Sequence, residues 1–367
     1  MKIHPALAFV LTGAVFAFGC SDAASGVPTG GAGAVGSAAG AANNLAGSGN
    51  TAAGTGNSAG SFNAAGASSG GTSGGGASGT GTSGAAGSQP TAGAGGAGSH
   101  ASGRSAGCGK IVDESPTLWN THSIAVTVDA AYAADFSTRT YFTRPPKNYD
   151  ASKAYPVIVW GQGCGQSKAE DTQITGGPGA DNAIQVELLA NPKNHNCYSA
   201  GPDGDNANSP ELPYFDAVLA EAEAAFCVDK GKVYMGGWSS GGWLSTLVAC
   251  TRSSVIKGVG WASAGLQVNH PACVGPMPAI LERGTRDTGT MLDRTLAARD
   301  DLIMRNGCTS ESEPWDPGET AFDTSTCVSY KGCMPGFPVI WCPIDDVHNN
   351  GGKLSQFGFW KFWSALP

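Results

Sequence analysis

Residues 232–243 read Lys-Val-Tyr-Met-Gly-Gly-Trp-Ser-Ser-Gly-Gly-Trp. A short run of strand character leads into glycines that bracket a serine, and an apolar helical pattern follows from Leu244. Glycine at fixed offsets removes the Cβ atoms that would collide in a very tight bend. Gly237-Trp238-Ser239-Ser240-Gly241 therefore predicts a G-x-S-x-G elbow, a strained strand-to-helix turn that lifts one hydroxyl over the end of a sheet. The pattern alone says little, because it recurs at residues 56–60, 66–70, 71–75 and 103–107. Only the match at 237–241 lies between a strand pattern and a helix pattern. Ser240 is excluded as the projecting residue, since Trp238 would occupy its upstream glycine position. The competing interpretation is a Gly-rich turn without chemistry.

Around this bend, apolar runs alternate with helical patterns. Strands are expected at 155–160, 232–236, 255–262, 278–281 and 338–342, and helices at 212–226, from 244 to 250, and at 356–366. Within 212–226, Phe215, Val218, Leu219, Ala222, Ala225 and Phe226 form one apolar face. Such alternation predicts an α/β fold, a mostly parallel sheet with helices on both faces. Residues 123–127 and 139–143 are expected as antiparallel strands at its leading edge.

A serine nucleophile requires a base and an acid, in the chain order Ser, Asp or Glu, His for a hydrolase of this type. Of the six histidines, His4 and His100 lie far upstream, and His122 and His195 precede the serine. His270 lies in an early loop before Pro271. Only His348 falls late, after the strand ending at Cys342, and it is the expected base; an exposed loop histidine is the alternative. Asp287 follows the strand at 278–281 in a glycine-containing loop and is the expected acid, against a purely structural turn aspartate. Asp293, Asp345 and Asp346 are weaker candidates. The oxyanion site needs two amides aimed at developing negative charge. The N–H of Ser240 and that of Cys164, in the glycine-rich loop 161–165, are expected to supply them. Trp238, Trp243 and Trp341 are candidates for stacking on an aromatic acyl group or a sugar; core packing is the alternative.

Composition divides the remainder. Of 56 glycines, more than half lie before residue 110, and residues 23–102 contain no Lys, Arg, Asp or Glu. Such a stretch cannot bury enough apolar surface to offset its ordering entropy. Residues 20–107 are expected to be a disordered tether, or an O-glycosylated stalk; about 85 Gly/Ser-type residues span roughly 50 Å. Residues 1–19 resemble a secretory signal: Lys2 precedes an apolar run too short to cross a membrane. The run ends Ala17-Phe18-Gly19-Cys20, which resembles a bacterial lipobox in which Cys20 would be lipidated; an ordinary signal peptide is the alternative. Export to a bacterial cell surface or outer membrane, or secretion, would follow, with membrane contact only through that anchor. Ten of the 11 cysteines fall between Cys108 and Cys342. An even number in an exported domain predicts disulfides. No CxxC occurs and the histidines do not cluster with cysteines, so neither a metal nor another cofactor is expected. The formal charge of −8 disfavours nucleic acid as a partner.

The folded region, 108–367, resembles the extracellular esterases that include feruloyl esterases, acetyl xylan esterases and polyhydroxybutyrate depolymerase-like proteins. The resemblance rests on Gly107-Cys108-Gly109, Pro145 to Asp150, Gly163-Cys164-Gly165, Phe226-Cys227-Val228-Asp229, the GGWSSGG block with Ala249-Cys250, Asn306-Gly307-Cys308, and residues 330–333 and 337–342. It implies an α/β-hydrolase fold and places Ser239, Asp287 and His348 as nucleophile, acid and base. It also implies Cys164–Cys197 and Cys227–Cys250 disulfides, and an ester substrate carried by polysaccharide or polyester. Three positions depart from the family pattern. Gln162 replaces a histidine, Glu282-Arg283 precede the acid loop, and Asn349-Asn350-Gly351-Gly352 follow the base. A non-catalytic surface binding protein with the same fold is the reading from outside the enzymes.

Overall fold

The computed structural model describes residues 103–169, 177–199, 208–267, 269–318, 327–352 and 354–367. The signal segment, Cys20 and most of the expected tether lie outside the described residues. Ten strands form one sheet: β1 Asn120–Ala125, β2 Thr138–Arg144, β3 Tyr155–Gly161, β4 Ile184–Leu188, β5 Val228–Trp238, β6 Gly258–Ala262, β7 Ala279–Gly284, β8 Ser312–Pro314, β9 Val328–Tyr330 and β10 Val339–Ile344. The helices are α1 Ala133–Phe136, α2 Gly179–Asn182, α3 Glu211–Ala225, α4 Ser240–Thr251, α5 Leu292–Arg305 and α6 Phe359–Ser364.

The sheet order is β1-β2-β4-β3-β5-β6-β7-β10-β9-β8. Its six central strands, β4 to β10, run parallel. The β1–β2 pair closes one edge antiparallel, as expected, and β9 and β8 close the other. One face is covered by α3, α4 and α5, whose Phe215, Val218, Leu244, Val248 and Leu302 pack on Val157, Val159, Met235 and Leu281. The opposite face is covered by α6. There Tyr234 and Trp363 stack with ring centroids 5.4 Å apart, and the Tyr234 hydroxyl donates to the Trp363 carbonyl. Burial on both faces accounts for strands that read as continuous apolar runs. β4 was not expected. Gln185 and Glu187 interrupt its apolar pattern, yet both are fully buried beside Ile184, Val186 and Leu188.

The folded unit extends upstream of the expected boundary at 108. The Ser105 hydroxyl donates to the Phe226 carbonyl and accepts from the Val228 amide, and Arg104 bridges to Asp229. The chain there acts as a short extra pairing segment at the start of β5, so residues 103–107 belong to the domain.

Five disulfides are present: Cys108–Cys227, Cys164–Cys197, Cys250–Cys273, Cys308–Cys333 and Cys327–Cys342. The Cys164–Cys197 bridge agrees with expectation. The Cys227–Cys250 pairing is overturned. Residues 103–107, expected in the tether, run beside the turn from α3 into β5: the Gly107 amide donates to the Glu223 carbonyl, and Ser105 bonds Phe226 and Val228. That segment delivers Cys108 to Cys227. At the end of α4 the Val274 amide donates to the Cys250 carbonyl, and Cys250 meets Cys273, with Cα atoms 4.0 Å apart. Cys227 meets Cys108 instead, at 3.9 Å.

Non-reducing peptide mapping should find Cys108 linked to Cys227 and Cys250 linked to Cys273. Replacing both Cys108 and Cys227 by Ser should cost about 2–5 kcal/mol in unfolding. Recovery of a Cys227–Cys250 peptide would contradict the assignment.

Candidate active site

Ser239 occupies the junction of β5 and α4 with φ 51° and ψ −121°, backbone angles that cost an ordinary residue about 1–3 kcal/mol. Its amide donates to the Ala262 carbonyl at the end of β6, at 3.0 Å. The strain is held by backbone crowding. A Cβ on Gly237 would strike the Gly241 carbonyl oxygen, and one on Gly241 would strike the carbonyl of Gly161. The spacing of the motif therefore records two close backbone approaches. The Ser239 side chain does not cap its own helix.

The residues expected as base and acid come from the ends of β10 and β7. His348 follows β10, and its Nδ1 lies 3.1 Å from each carboxylate oxygen of Asp287. The Asp287 side chain is fully buried, while that of His348 is 29% exposed. Asp287 Oδ1 also accepts from the Gly289 and Thr290 amides at 2.7 and 3.0 Å. Burial pushes the Asp287 carboxyl up, but His348 and these two amides outweigh it and hold the carboxyl below its usual range. An ionised Asp287 accepts the Nδ1 proton, so Nε2 is the imidazole atom left to act as acceptor. The ring of His348 lies against Trp238, immediately before Ser239, with centroids 5.7 Å apart.

The two loops are braced by residues with no assigned role in the sequence. Arg283 is buried, and its guanidinium donates to the carbonyls of Asp287 and Thr290 and to Thr295 Oγ1 at 2.9–3.2 Å. This is what the unexpected arginine before the acid loop does: it clamps that loop from beneath. Arg286 ties the acid loop to the base loop through Asp345 and the Asp346 carbonyl. Asp345 and Asp346 thus shape the loop, and Asp293 lies in the first turn of α5. After His348, the Asn349 and Asn350 side chains accept from the amides of Gly351 and Gly352, which accounts for the Asn-Asn-Gly-Gly sequence as a pair of local turns.

On the other side of Ser239, the loop after β3 reaches the elbow. The Ser240 amide opens α4, where a helix has no internal acceptor for it. The Ser240 hydroxyl accepts from the Tyr198 amide at 3.1 Å. Cys164 is exposed and is joined through Cys197 to that same segment. Tyr198 is fully buried; its hydroxyl accepts from the Gln162 amide and donates to the Leu188 carbonyl. One tyrosine thereby fixes the loop that carries Cys164, a role with no periodic signal in sequence. Gln162 is buried and donates to the Lys168 carbonyl.

Trp243 and Trp341 do not line a cleft. They are 6% and 8% exposed and belong to the main core, and Arg299 lies over the Trp341 ring. The other described histidines are elsewhere: His122 bonds Thr143 on the β1–β2 edge, and His195 is exposed. His270 lies beside Cys250 and Cys273, with donor atoms within 4.8 Å of one another, but those sulfurs are joined in a disulfide.

A mainly parallel sheet with a serine elbow between its fifth strand and the following helix defines the α/β-hydrolase fold. No family model matches the chain. Among curated proteins it is similar to feruloyl esterase D of Neurospora crassa, 28% identical over 284 residues, 72% of this chain and 92% of that protein. It is also similar to feruloyl esterase C of Emericella nidulans, 26% identical over 276 residues, 71% of this chain and 91% of that one. Among solved structures it is similar to an acetyl xylan esterase from Aspergillus awamori, with 10% identity, a TM-score of 0.44, and coverage of 62% of this chain and 94% of that one. The similarity to feruloyl esterases over most of the chain bears out the resemblance read from the sequence.

Glu282, next to Arg283 on β7, generates a test of the site's electrostatics. It is fully buried, and among the described residues neither carboxylate oxygen makes a full hydrogen bond, the Ser263 amide favouring its charged form only weakly. Burial, reinforced by the charges of Asp287 and Asp346, pushes its carboxyl well above the usual range. In the unfolded chain the same group ionises near about pH 4.3. The folded state thus binds a proton that the unfolded state releases, and stability falls as pH rises above that value. Glu282→Gln copies the neutral acid and removes this slope. By thermal unfolding, the variant should match the parent near about pH 4 and become progressively the more stable toward about pH 8. A variant less stable at the higher pH would show an ionised, paired carboxylate.

Proposed function

We propose that the chain is an exported serine carboxylic ester hydrolase acting on feruloyl or acetyl esters of plant cell-wall polysaccharide. The observation that carries this reading is the Ser239 backbone, held at φ 51° by glycines that nothing larger could replace, one residue after Trp238, whose ring meets an imidazole oriented by a buried carboxylate. The names of the curated relatives, feruloyl esterases that align over most of this chain, support the substrate class. The signal-like N-terminus and the five disulfides support export.

In this mechanism His348 Nε2 takes the proton from the Ser239 hydroxyl as the oxygen attacks the ester carbonyl. Asp287 keeps the imidazole in the tautomer with Nε2 free and stabilises its charged form. The amides of Ser240 and Cys164 receive the negative charge that develops on the carbonyl oxygen; each such donor contributes about 3 kcal/mol to lowering the barrier. His348 returns the proton to the departing alcohol. Water, activated by the same imidazole, then attacks the acyl-serine and releases the acid.

The purified protein should hydrolyse methyl ferulate or a nitrophenyl acetate. Ser239→Ala should lower kcat by at least about 10⁴-fold while leaving the unfolding temperature unchanged. Comparison of feruloylated xylan, acetylated xylan and a polyester film fixes the ester class. No turnover on any of them, with the protein folded, would favour a binding protein that shares the fold.

A further inference from the structure

The sequence suggested Trp238 as a surface for substrate. Its surroundings point to another task. Trp238 is the last residue of β5 and pairs with Ala262, so its backbone is anchored directly beside Ser239. One edge of its indole fills the space above Gly163, the residue before Cys164. A Cβ at position 163 would lie 2.5–2.8 Å from ring atoms Cζ2, Cε2 and Cη2. The same ring meets the His348 imidazole at 5.7 Å between centroids, tilted by 49°. Trp238 therefore touches both the loop assigned to oxyanion binding and the base.

His348 needs such a contact. The bonds described to its ring, from Asp287 and Thr290, are all at Nδ1. A ring held at one atom can pivot about that atom and carry Nε2 away from its target. A flat aromatic surface on one side restricts the pivot.

We propose that Trp238 is a positioning residue that sets the spacing between the His348 imidazole and the Cys164 loop, and that Gly163 is glycine because the indole occupies the space of its side chain. The inference rests on the Ser239–His348–Asp287 mechanism. A displacement of about 1 Å in such a site lowers the rate on the order of 100-fold, so the effect belongs in kcat and not in substrate affinity.

The test uses the full chain with two substrates, an acetyl and a feruloyl ester. Trp238→Leu should lower kcat about 10- to 100-fold on both, with KM little changed, and Trp238→Phe should recover most of the loss. Gly163→Ala should lower kcat similarly, and adding Trp238→Leu to it should cost less than the product of the two single losses. A rise in KM confined to the feruloyl ester would overturn the proposal and make Trp238 a substrate-stacking residue. Unchanged kcat in Trp238→Leu, or a lowered unfolding temperature with kcat intact, would also overturn it. If Trp238→Leu does not fold, Trp238→Phe and Gly163→Ala decide by the same criteria. Full activity in Ser239→Ala would instead overturn the underlying mechanism, whereas an inactive Ser239→Ala beside an unaltered Trp238→Leu removes this inference alone.

Discussion

The site depends on how closely two stretches of backbone approach each other. The end of β3 and the first turn of α4 touch at Gly161 and Gly241, with no side chain between them. That contact forces the bend at residue 239 and brings the loop after β3 alongside the helix start. The strained serine, the free amide at the head of α4 and the nearness of Cys164 are consequences of one packing constraint. A larger residue at 237 or 241 would separate all three at once.

The proposed acid and base are maintained by a different means. Their loops leave neighbouring strands, β7 and β10, whose register pairs Gly284 with Ile344. Asp287 and His348 thus begin from a shared edge. Arg283 from below and Arg286 from the side then fix the loops relative to each other. The buried Asp287 remains ionised because three donors face it, not because it is exposed to water. Glu282, one residue before Arg283, shows the contrasting result: burial, reinforced by the charges of Asp287 and Asp346, prevails and pushes its carboxyl up.

The elbow was legible in the sequence because glycine spacing directly encodes close backbone contact. The central strands other than β4, with α3, α4 and α6, were legible because both faces of the sheet are covered, which makes those strands apolar throughout; α5 was missed because only Thr295, Ala298 and Leu302 of its charged sequence are buried. Asp287 and His348 could be located because each follows such a strand. β4 escaped notice because Gln185 and Glu187 conceal its buried character. Tyr198 and Arg283 escaped because their roles rest on hydrogen bonds to loop groups that only the folded chain brings within reach, which leave no periodic trace. The cysteine pairing failed at Cys227 and Cys250 because it depends on residues 103–107 joining the fold beside Phe226 and Val228, and on the segment at Val274 bonding the end of α4. The tryptophans near the elbow could not be sorted by proximity alone: Trp243 and Trp341 face the core, and Trp238 faces the base.

The central claim is that the hydroxyl at position 239 is a nucleophile activated from position 348. A fluorophosphonate ester, which phosphonylates activated serines, tests it most directly when followed by peptide mass analysis. The account predicts one equivalent of label on the peptide containing Ser239, and its loss in His348→Ala while that variant remains folded. Label on another residue, or undiminished labelling of Ser239 without the imidazole, would contradict it.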